Sequence, residues 1–293
     1  MDLKNYLRER AEWLVAAMTR SIEDESIPET LRRAMRYSLE AGGKRLRPTL
    51  CFAGAEAVGG SADRVMPVAV AIEMVHTFSL IHDDLPAMDD DSLRRGKPTS
   101  HKVFGEGVAI LAGDGLLAEA FYVLSELHGG VGPDVLLATI HDIARAAGGR
   151  GMTGGQVIDI ESTGQGLGEA QLARLHRYKT GALIKVSATA GARVSGATQD
   201  QIDSLARYGE CVGLAFQIAD DILDVEGDEE LLGKDVGSDE GKCKSTYPAA
   251  IGLDASRGQM KALVAQAQAA LTGFGDAAEP LRLIAQYAVE RNR

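Results

Sequence analysis

Val212-Gly213-Leu214-Ala215-Phe216-Gln217-Ile218-Ala219-Asp220-Asp221-Ile222-Leu223-Asp224 is an apolar run that closes on three carboxylates. On a helix Asp220 and Asp224 are i and i+4, so their side chains share one face about 6 Å apart, with Asp221 beside them. Like charges so placed repel. The helix loses stability unless a cation neutralises them, and carboxylate oxygens are the ligands that a hard cation such as Mg2+ prefers. Far away in the chain, Phe78-Ser79-Leu80-Ile81-His82-Asp83-Asp84-Leu85-Pro86-Ala87-Met88-Asp89 has the same texture. Either cluster alone reads most simply as a solvated acidic face. The pair reads differently, because residues of the kind that are buried precede both. Mg2+ is usually held by a few carboxylates together with substrate phosphates, so two such clusters facing each other point to a diphosphate clamp.

Outward from these clusters, apolar residues recur at helical spacing nearly everywhere, as in Leu31, Ala34, Met35 and Leu39 or Leu172, Leu175 and Leu183, and no convincing alternating strand is visible. Gly and Pro punctuate the helices: Pro28 opens one, Gly42-Gly43 and Gly59-Gly60 close two, and Gly129-Gly130 with Pro133 separates two more. The pattern predicts an all-α fold of about ten helices in a single domain over residues 1–293, with no linker and no short repeat.

Composition narrows the partners. A formal net charge of -11 argues against nucleic acid and anionic membrane surfaces, which need clustered Lys and Arg. The three cysteines, Cys51, Cys211 and Cys243, have no paired spacing and no secretory leader is visible, which fits a soluble protein of the reduced cytoplasm. No stretch is expected to reach the roughly 18 apolar residues that span a bilayer, so no membrane insertion is expected.

Two glycine motifs are set aside on context. Gly149-Arg150-Gly151-Met152-Thr153-Gly154 matches a dinucleotide pattern, but a helical stretch precedes it where a strand is required. Near Gly237 and Gly241-Lys242 the spacing is one short of a phosphate loop, and Cys243 stands where Ser or Thr should bind magnesium.

Basic residues accompany the acids. Arg94-Arg95-Gly96-Lys97 follows the first cluster, and Gly42-Gly43-Lys44-Arg45-Leu46-Arg47 forms a second basic knot at a helix boundary. Guanidinium groups grip phosphate oxygens in a fork, so two knots could serve two anions; taken singly, each also reads as solvated surface charge. His76 lies seven residues before Asp83, about 20° away on an ideal wheel and about 10 Å along the axis, so the two project from one face. Lys179-Thr180-Gly181 interrupts an apolar run, and Gln217 sits one turn before Asp220 and Asp221. Buried polar groups there need partners.

These motifs together resemble the trans-isoprenyl diphosphate synthases. The resemblance spans nearly the whole chain and rests on GGKRLRP (42–48), HTFSLIHDDLPAMDDDSLRRGKPT (76–99), LAGDGLL (111–117), GGQVIDI (154–160), YKTGALI (178–184), FQIADDILDVEGD (216–228), LGKDVGSD (232–239) and KSTYP (244–248). It implies a helical bundle around a central cavity and a homodimer. It also implies condensation of isopentenyl diphosphate with dimethylallyl and geranyl diphosphate to farnesyl diphosphate. By the same resemblance, Asp83, Asp84, Asp89, Asp220, Asp221 and Asp224 would hold Mg2+, about three ions per site. Arg94, Lys179 and Lys234, with Lys244 as a weaker correspondence, would contact the allylic diphosphate. Lys44, Arg47, His76 and Arg95 would bind isopentenyl diphosphate without metal, and Thr180 and Gln217 oxygens would steady the cation. Gln156 and Asp159 would order the site from behind, or serve as structural polar contacts.

Product length, on the same resemblance, is set by the residues four and five before the first motif, Ser79 and Phe78, with a bulky ring stopping the chain at fifteen carbons. An ideal wheel puts Ser79 about 40° and Phe78 about 140° from Asp83, so geometry alone does not select Phe78, which also reads as core packing. A geranylgeranyl diphosphate synthase is the close alternative. From another class, His82-Asp83 and His141-Asp142 are similar to the metal site of HD-type phosphohydrolases, a reading that leaves Asp220 to Asp224 and both basic knots unexplained.

Overall fold

Helical periodicity without strand alternation translates directly into the backbone. A computed structural model describes residues 1–127, 130–226 and 245–290. In order, the helices are α1 (Leu3–Ser21), α2 (Glu29–Leu39), α3 (Leu46–Ala57), α4 (Ala62–Asp83), α5 (Ser100–Phe104), α6 (Glu106–Ser125), α7 (Pro133–Ala147), α8 (Met152–Ser162), α9 (Glu169–His176), α10 (Ala182–Val194), α11 (Gln199–Glu226), α12 (Tyr247–Ile251), α13 (Leu253–Ala270) and α14 (Glu279–Tyr287). A π-helical turn, Arg177–Gly181, joins α9 to α10, and a 3-10 turn, Asp276–Ala278, precedes α14. Ten of these helices have eleven residues or more, in line with the expected number.

Local chemistry explains the boundaries. The Asp2 carboxylate accepts from the Lys4 and Asn5 N–H groups and caps α1, and Pro133 starts α7, where a missing N–H costs nothing. Gly59 follows α3 at a φ of 81°, a conformation that penalises any side chain.

Two helices carry the centre. On α4 the residues from Val68 to Val75 are all buried, so the helix is sheathed on every side, chiefly by α3 and α6. On α10 nearly every position from Leu183 to Val194 is buried between α3, α7 and α11. Backbones touch where α3 meets α10. A side chain on Gly54 would collide with the Ala188 carbonyl, and one on Gly191 with the Cys51 carbonyl. A second core joins Leu50, Ile184, Leu205, Tyr208, Leu271, Leu281 and Ile284, and the Tyr208 hydroxyl donates to the Leu281 carbonyl at 2.7 Å.

Two expectations need correction. A β-hairpin exists where none was expected, Leu93–Arg94 (β1) paired antiparallel with Lys97–Pro98 (β2). Two-residue strands are too short to show alternation. The expectation on apolar length also fails: α4 and α6 are each long and apolar enough, by length and composition, to cross a membrane. In α4 that stretch is 67% buried inside the protein, as a core helix would be, whereas in α6 the figure is 33%.

Candidate active site

The first acidic group forms where α4 stops. Pro86 disfavours helix at the residue before it, and the chain turns after Asp83 so that the Asp89 N–H donates to the Asp83 carbonyl at 2.9 Å. Asp84 is 3% exposed, and its Oδ1 accepts from Arg94 at Nε (2.6 Å) and Nη2 (2.5 Å). Asp83 remains half-buried. Burial foremost, with Asp89 and Asp84 adding to it against Lys179 and Arg94, raises its carboxyl from the ordinary 3.8 to about 6. A carboxylate so destabilised beside two others is a place where a divalent cation is favourable. Among the described residues no three acidic, His or Cys side chains stand close enough to hold an ion by themselves.

Next to it, the hairpin brings the two basic knots together. Arg95 and Gly96 both have positive φ, 54° and 75°, as a type I′ hairpin turn requires. The Arg95 guanidinium donates to the Gly42 carbonyl and covers Gly43, where a Cβ would strike it. Arg47 Nη1 lies 3.3 Å from His76 Nε2. Burial first, then Arg47, Arg95, Arg45 and Arg94, hold the His76 imidazole well below its usual range, so it is neutral and accepts from Arg47. Lys44 is exposed, its ammonium 5.4 Å from the centre of the Tyr287 ring.

Arg45, between these residues, turns inward. Its φ is 48°, it pairs with Glu73 at 2.5 Å and it donates to the Leu39 carbonyl. From sequence Arg45 reads only as part of a basic knot, and Glu73 has no reading of its own. A lone Glu within the apolar run Val70 to Val75 was the available signal, since a buried carboxylate needs a partner.

On α11 the second acidic group divides in the same way. Asp221 is 5% exposed, and its Oδ2 accepts from the Tyr247 N–H at 2.8 Å and meets His176 Nε2 at 3.2 Å. The His176 and Tyr247 rings stack at 5.6 Å. Asp220 is half-buried, Asp224 is buried, and Gln217 is half-buried one turn earlier.

Between the two groups runs the π-turn, the kind of helical irregularity that recurs at functional sites. It carries Lys179 and the buried Thr180. Gly181 packs on α11 so closely that a Cβ on Gly213 would lie 2.9 Å from the Gly181 Cα. The Lys179 ammonium pairs with Asp159 Oδ2 at 2.5 Å, and its charge also acts on Asp83. His176, the last residue of α9 just before the turn, therefore holds Asp221, while Lys179 within the turn faces Asp83. The Gln156 Oε1, one turn before Asp159, is buried with no hydrogen-bond partner among the described residues.

The remaining predicted residues lie as follows. Phe78 is 8% exposed, its ring edge-on to His82 at 5.7 Å. His82 Nε2 is 3.0 Å from the Ile110 carbonyl of α6, against Gly113, so Phe78 shares the α6-facing side of α4. The Ser79 hydroxyl donates to the His76 carbonyl at 2.8 Å. His141 meets its neighbour Asp142 at 3.1 Å, and Asp142 pairs with Arg193 at 2.9 Å. Lys234 and Lys244 lie outside the described residues.

The sequence pattern of the polyprenyl synthetase family matches residues 28–276. The chain belongs to that family. A farnesyl diphosphate synthase of Geobacillus stearothermophilus is 48% identical over 269 residues, covering 92% of this chain and 91% of the relative. A dimethylallyltranstransferase of Fischerella ambigua is 47% identical over 291 residues, covering 99% and 84%. A crystal structure of geranylgeranyl pyrophosphate synthetase from Pyrococcus horikoshii superposes with a TM-score of 0.91 at 32% identity, covering 99% of this chain and 98% of that one. The family is one of prenyltransferases, and the all-α fold expected from sequence is its fold. Polyprenyl synthetases that make different product lengths are thus similar to this chain.

Proposed function

We propose that the protein is an Mg2+-dependent trans-prenyltransferase that condenses isopentenyl diphosphate with dimethylallyl and then geranyl diphosphate, giving farnesyl diphosphate. The observation that carries this reading is the π-turn between two acidic groups, with a pair of basic knots drawn together beside them. Asp83, Asp89, Asp220 and Asp224 would hold the magnesium, with Asp84 and Asp221 completing the two motifs. When bound, Mg2+ supplies Lewis-acid stabilisation of the departing diphosphate oxygens.

Arg94 and Lys179 grip the allylic diphosphate, with Lys234 and Lys244 assigned to it by family resemblance. Arg47, Arg95, His76 and Lys44 hold the diphosphate of isopentenyl diphosphate. The carbon-oxygen bond of the allylic substrate breaks heterolytically, and charge grows on oxygens that these preorganised donors face; each donor is typically worth about 3 kcal/mol. The Thr180 and Gln217 oxygens steady the allylic cation by their dipoles. The isopentenyl double bond then attacks it, forming the new carbon-carbon bond. The condensed cation loses a proton, which the released diphosphate takes. No side-chain nucleophile enters, and burial keeps water away from the cation.

Phe78 is assigned the stop at fifteen carbons. The twenty-carbon product is the second reading, supported by the Pyrococcus neighbour and by the α6-facing position of the Phe78 ring. A homodimer through α6 is supported by the apolar surface of Ile110, Leu111 and Tyr122, which are 44%, 59% and 59% exposed. A reduced, cytoplasmic setting fits Cys51 and Cys211, both unbridged.

Purified protein incubated with Mg2+, isopentenyl diphosphate and dimethylallyl or geranyl diphosphate is expected to yield a fifteen-carbon diphosphate. A twenty-carbon main product would replace the product assignment alone. Absence of any condensation, above all with release of phosphate from nucleotides, would overturn the whole reading.

A further inference from the structure

Thr99 stands where α5 begins and does not cap it. At that position a threonine hydroxyl ordinarily accepts from a backbone N–H of the first helical turn, and here no such bond is made. The hydroxyl oxygen lies instead 2.8 Å from the Asp91 carbonyl, 3.5 Å from the Ser92 carbonyl and 3.2 Å from Nδ1 of His101. The Thr99 N–H closes the same loop by donating to the Ser92 carbonyl at 3.1 Å. Thr99, Ser100 and His101 are only 2%, 4% and 6% exposed.

The protons can be assigned. A carbonyl only accepts, so the single hydroxyl proton of Thr99 goes to Asp91. The contact with His101 is then a hydrogen bond only if Nδ1 carries a proton and donates to the Thr99 lone pair. In the neutral ring this leaves Nε2 as a bare acceptor, and that atom is buried with no hydrogen-bond partner among the described residues.

What the relay ties down is the stem of the hairpin. Asp91 and Ser92 lead into β1, and at the other end the Pro98 carbonyl accepts from the Tyr37 hydroxyl at 2.7 Å. Strands of two residues do not hold themselves together. From this stem Arg94 reaches Asp84 and Arg95 reaches the Gly42 carbonyl. We propose that His101, acting through Thr99, is a positioning residue for Arg94 and Arg95, fixing the stem that presents both guanidinium groups to diphosphate. The inference rests on the diphosphate-binding reading above.

Two amide variants separate the two ring nitrogens. An Asn side chain places an N–H near the position of Nδ1, whereas a Gln side chain reaches that of Nε2. His101→Asn is expected to keep KM for both diphosphates within about twofold of the parent, while His101→Gln and Thr99→Val each raise both about tenfold with kcat little changed. The double variant His101→Gln, Thr99→Val should be no worse than either single, because both break one relay. Nitrogen-15 spectra of the histidine-labelled full chain at slightly alkaline pH should show His101 protonated at Nδ1. Rescue by Gln as good as by Asn, unchanged KM in Thr99→Val, or a proton on Nε2 would each overturn the proposal. Should the parent chain perform no condensation, that failure belongs to the functional reading. Titration with inorganic pyrophosphate then still decides the relay: weaker binding by His101→Gln but not by His101→Asn supports it, and equal binding by both overturns it.

Discussion

The acidic group at the end of α4 and the one on α11 spend their middle aspartate in the same way but on different partners. Asp84 is engaged by the Arg94 guanidinium, a side chain that is itself assigned to phosphate, whereas Asp221 is engaged by a buried imidazole and a backbone N–H. The first anchorage can be exchanged for a ligand. The second cannot, because neither His176 nor the Tyr247 backbone has anywhere else to go. Two adjacent carboxylates in a motif therefore need not act alike. One sets the wall in place, and its neighbour is the one assigned above to the cation.

The sharpest way to break this comparison is to remove the outer acid from each wall. Asp83→Asn and Asp220→Asn should each lower kcat/KM by about a thousandfold, since each weakens charge stabilisation of the leaving group; steady-state assays that found only a few-fold loss would undo the assignment. Removing the inner acids should split the walls. Asp221→Ala leaves His176 and the Tyr247 N–H without their acceptor and should cost about 3 kcal/mol of stability, read as a lower Tm. Asp84→Ala should instead appear mainly as a raised KM for the allylic diphosphate, because Arg94 loses its orientation. Equal Tm losses for the two variants would erase the distinction.

A subtler effect concerns pH. The Asp83 carboxyl is raised in the folded protein from 3.8 to about 6, so the native state holds its proton more tightly than the unfolded chain does. The stability this contributes is complete below pH 3.8 and is lost as pH rises through about 6. In metal-free protein at pH 7, Asp83→Asn should therefore raise stability by about 2 kcal/mol, allowing for solvent screening of a half-buried group. The gain should vanish in acid and shrink when Mg2+ is added; denaturant melts across the range check the sign. The smallest change in rate is expected from Phe78→Ala, which should lengthen the product without removing activity. A fifteen-carbon product from that variant would confine Phe78 to packing against His82 and α6.

The helices, both acidic groups and both basic knots were legible because they are local patterns: a period, a run, a spacing. What sequence hid is non-local. Whether Asp84 faces a metal or an arginine depends on a hairpin whose turn places a non-glycine residue, Arg95, at a φ of 54°, and no alternation announces strands of two residues. Arg45 looked like one more surface cation until its partner, 28 residues away on α4, closed over it. The extra residue of the π-turn is likewise invisible, because Lys179-Thr180-Gly181 reads as a polar break in one helix rather than as a change of its pitch. The apolar lengths of α4 and α6 were misjudged for a different reason: isolated polar residues such as Glu73 and Asp114 interrupt each run without lowering its mean hydropathy enough.

The seam where Gly54 and Gly191 let α3 and α10 touch along their backbones has a mechanical consequence. Surfaces meshed carbonyl against Cα cannot slide past one another by a rotamer change, as side-chain-lined interfaces can. The α3–α10 seam is in that sense a welded joint, fixed in a way that contacts made through side chains alone are not.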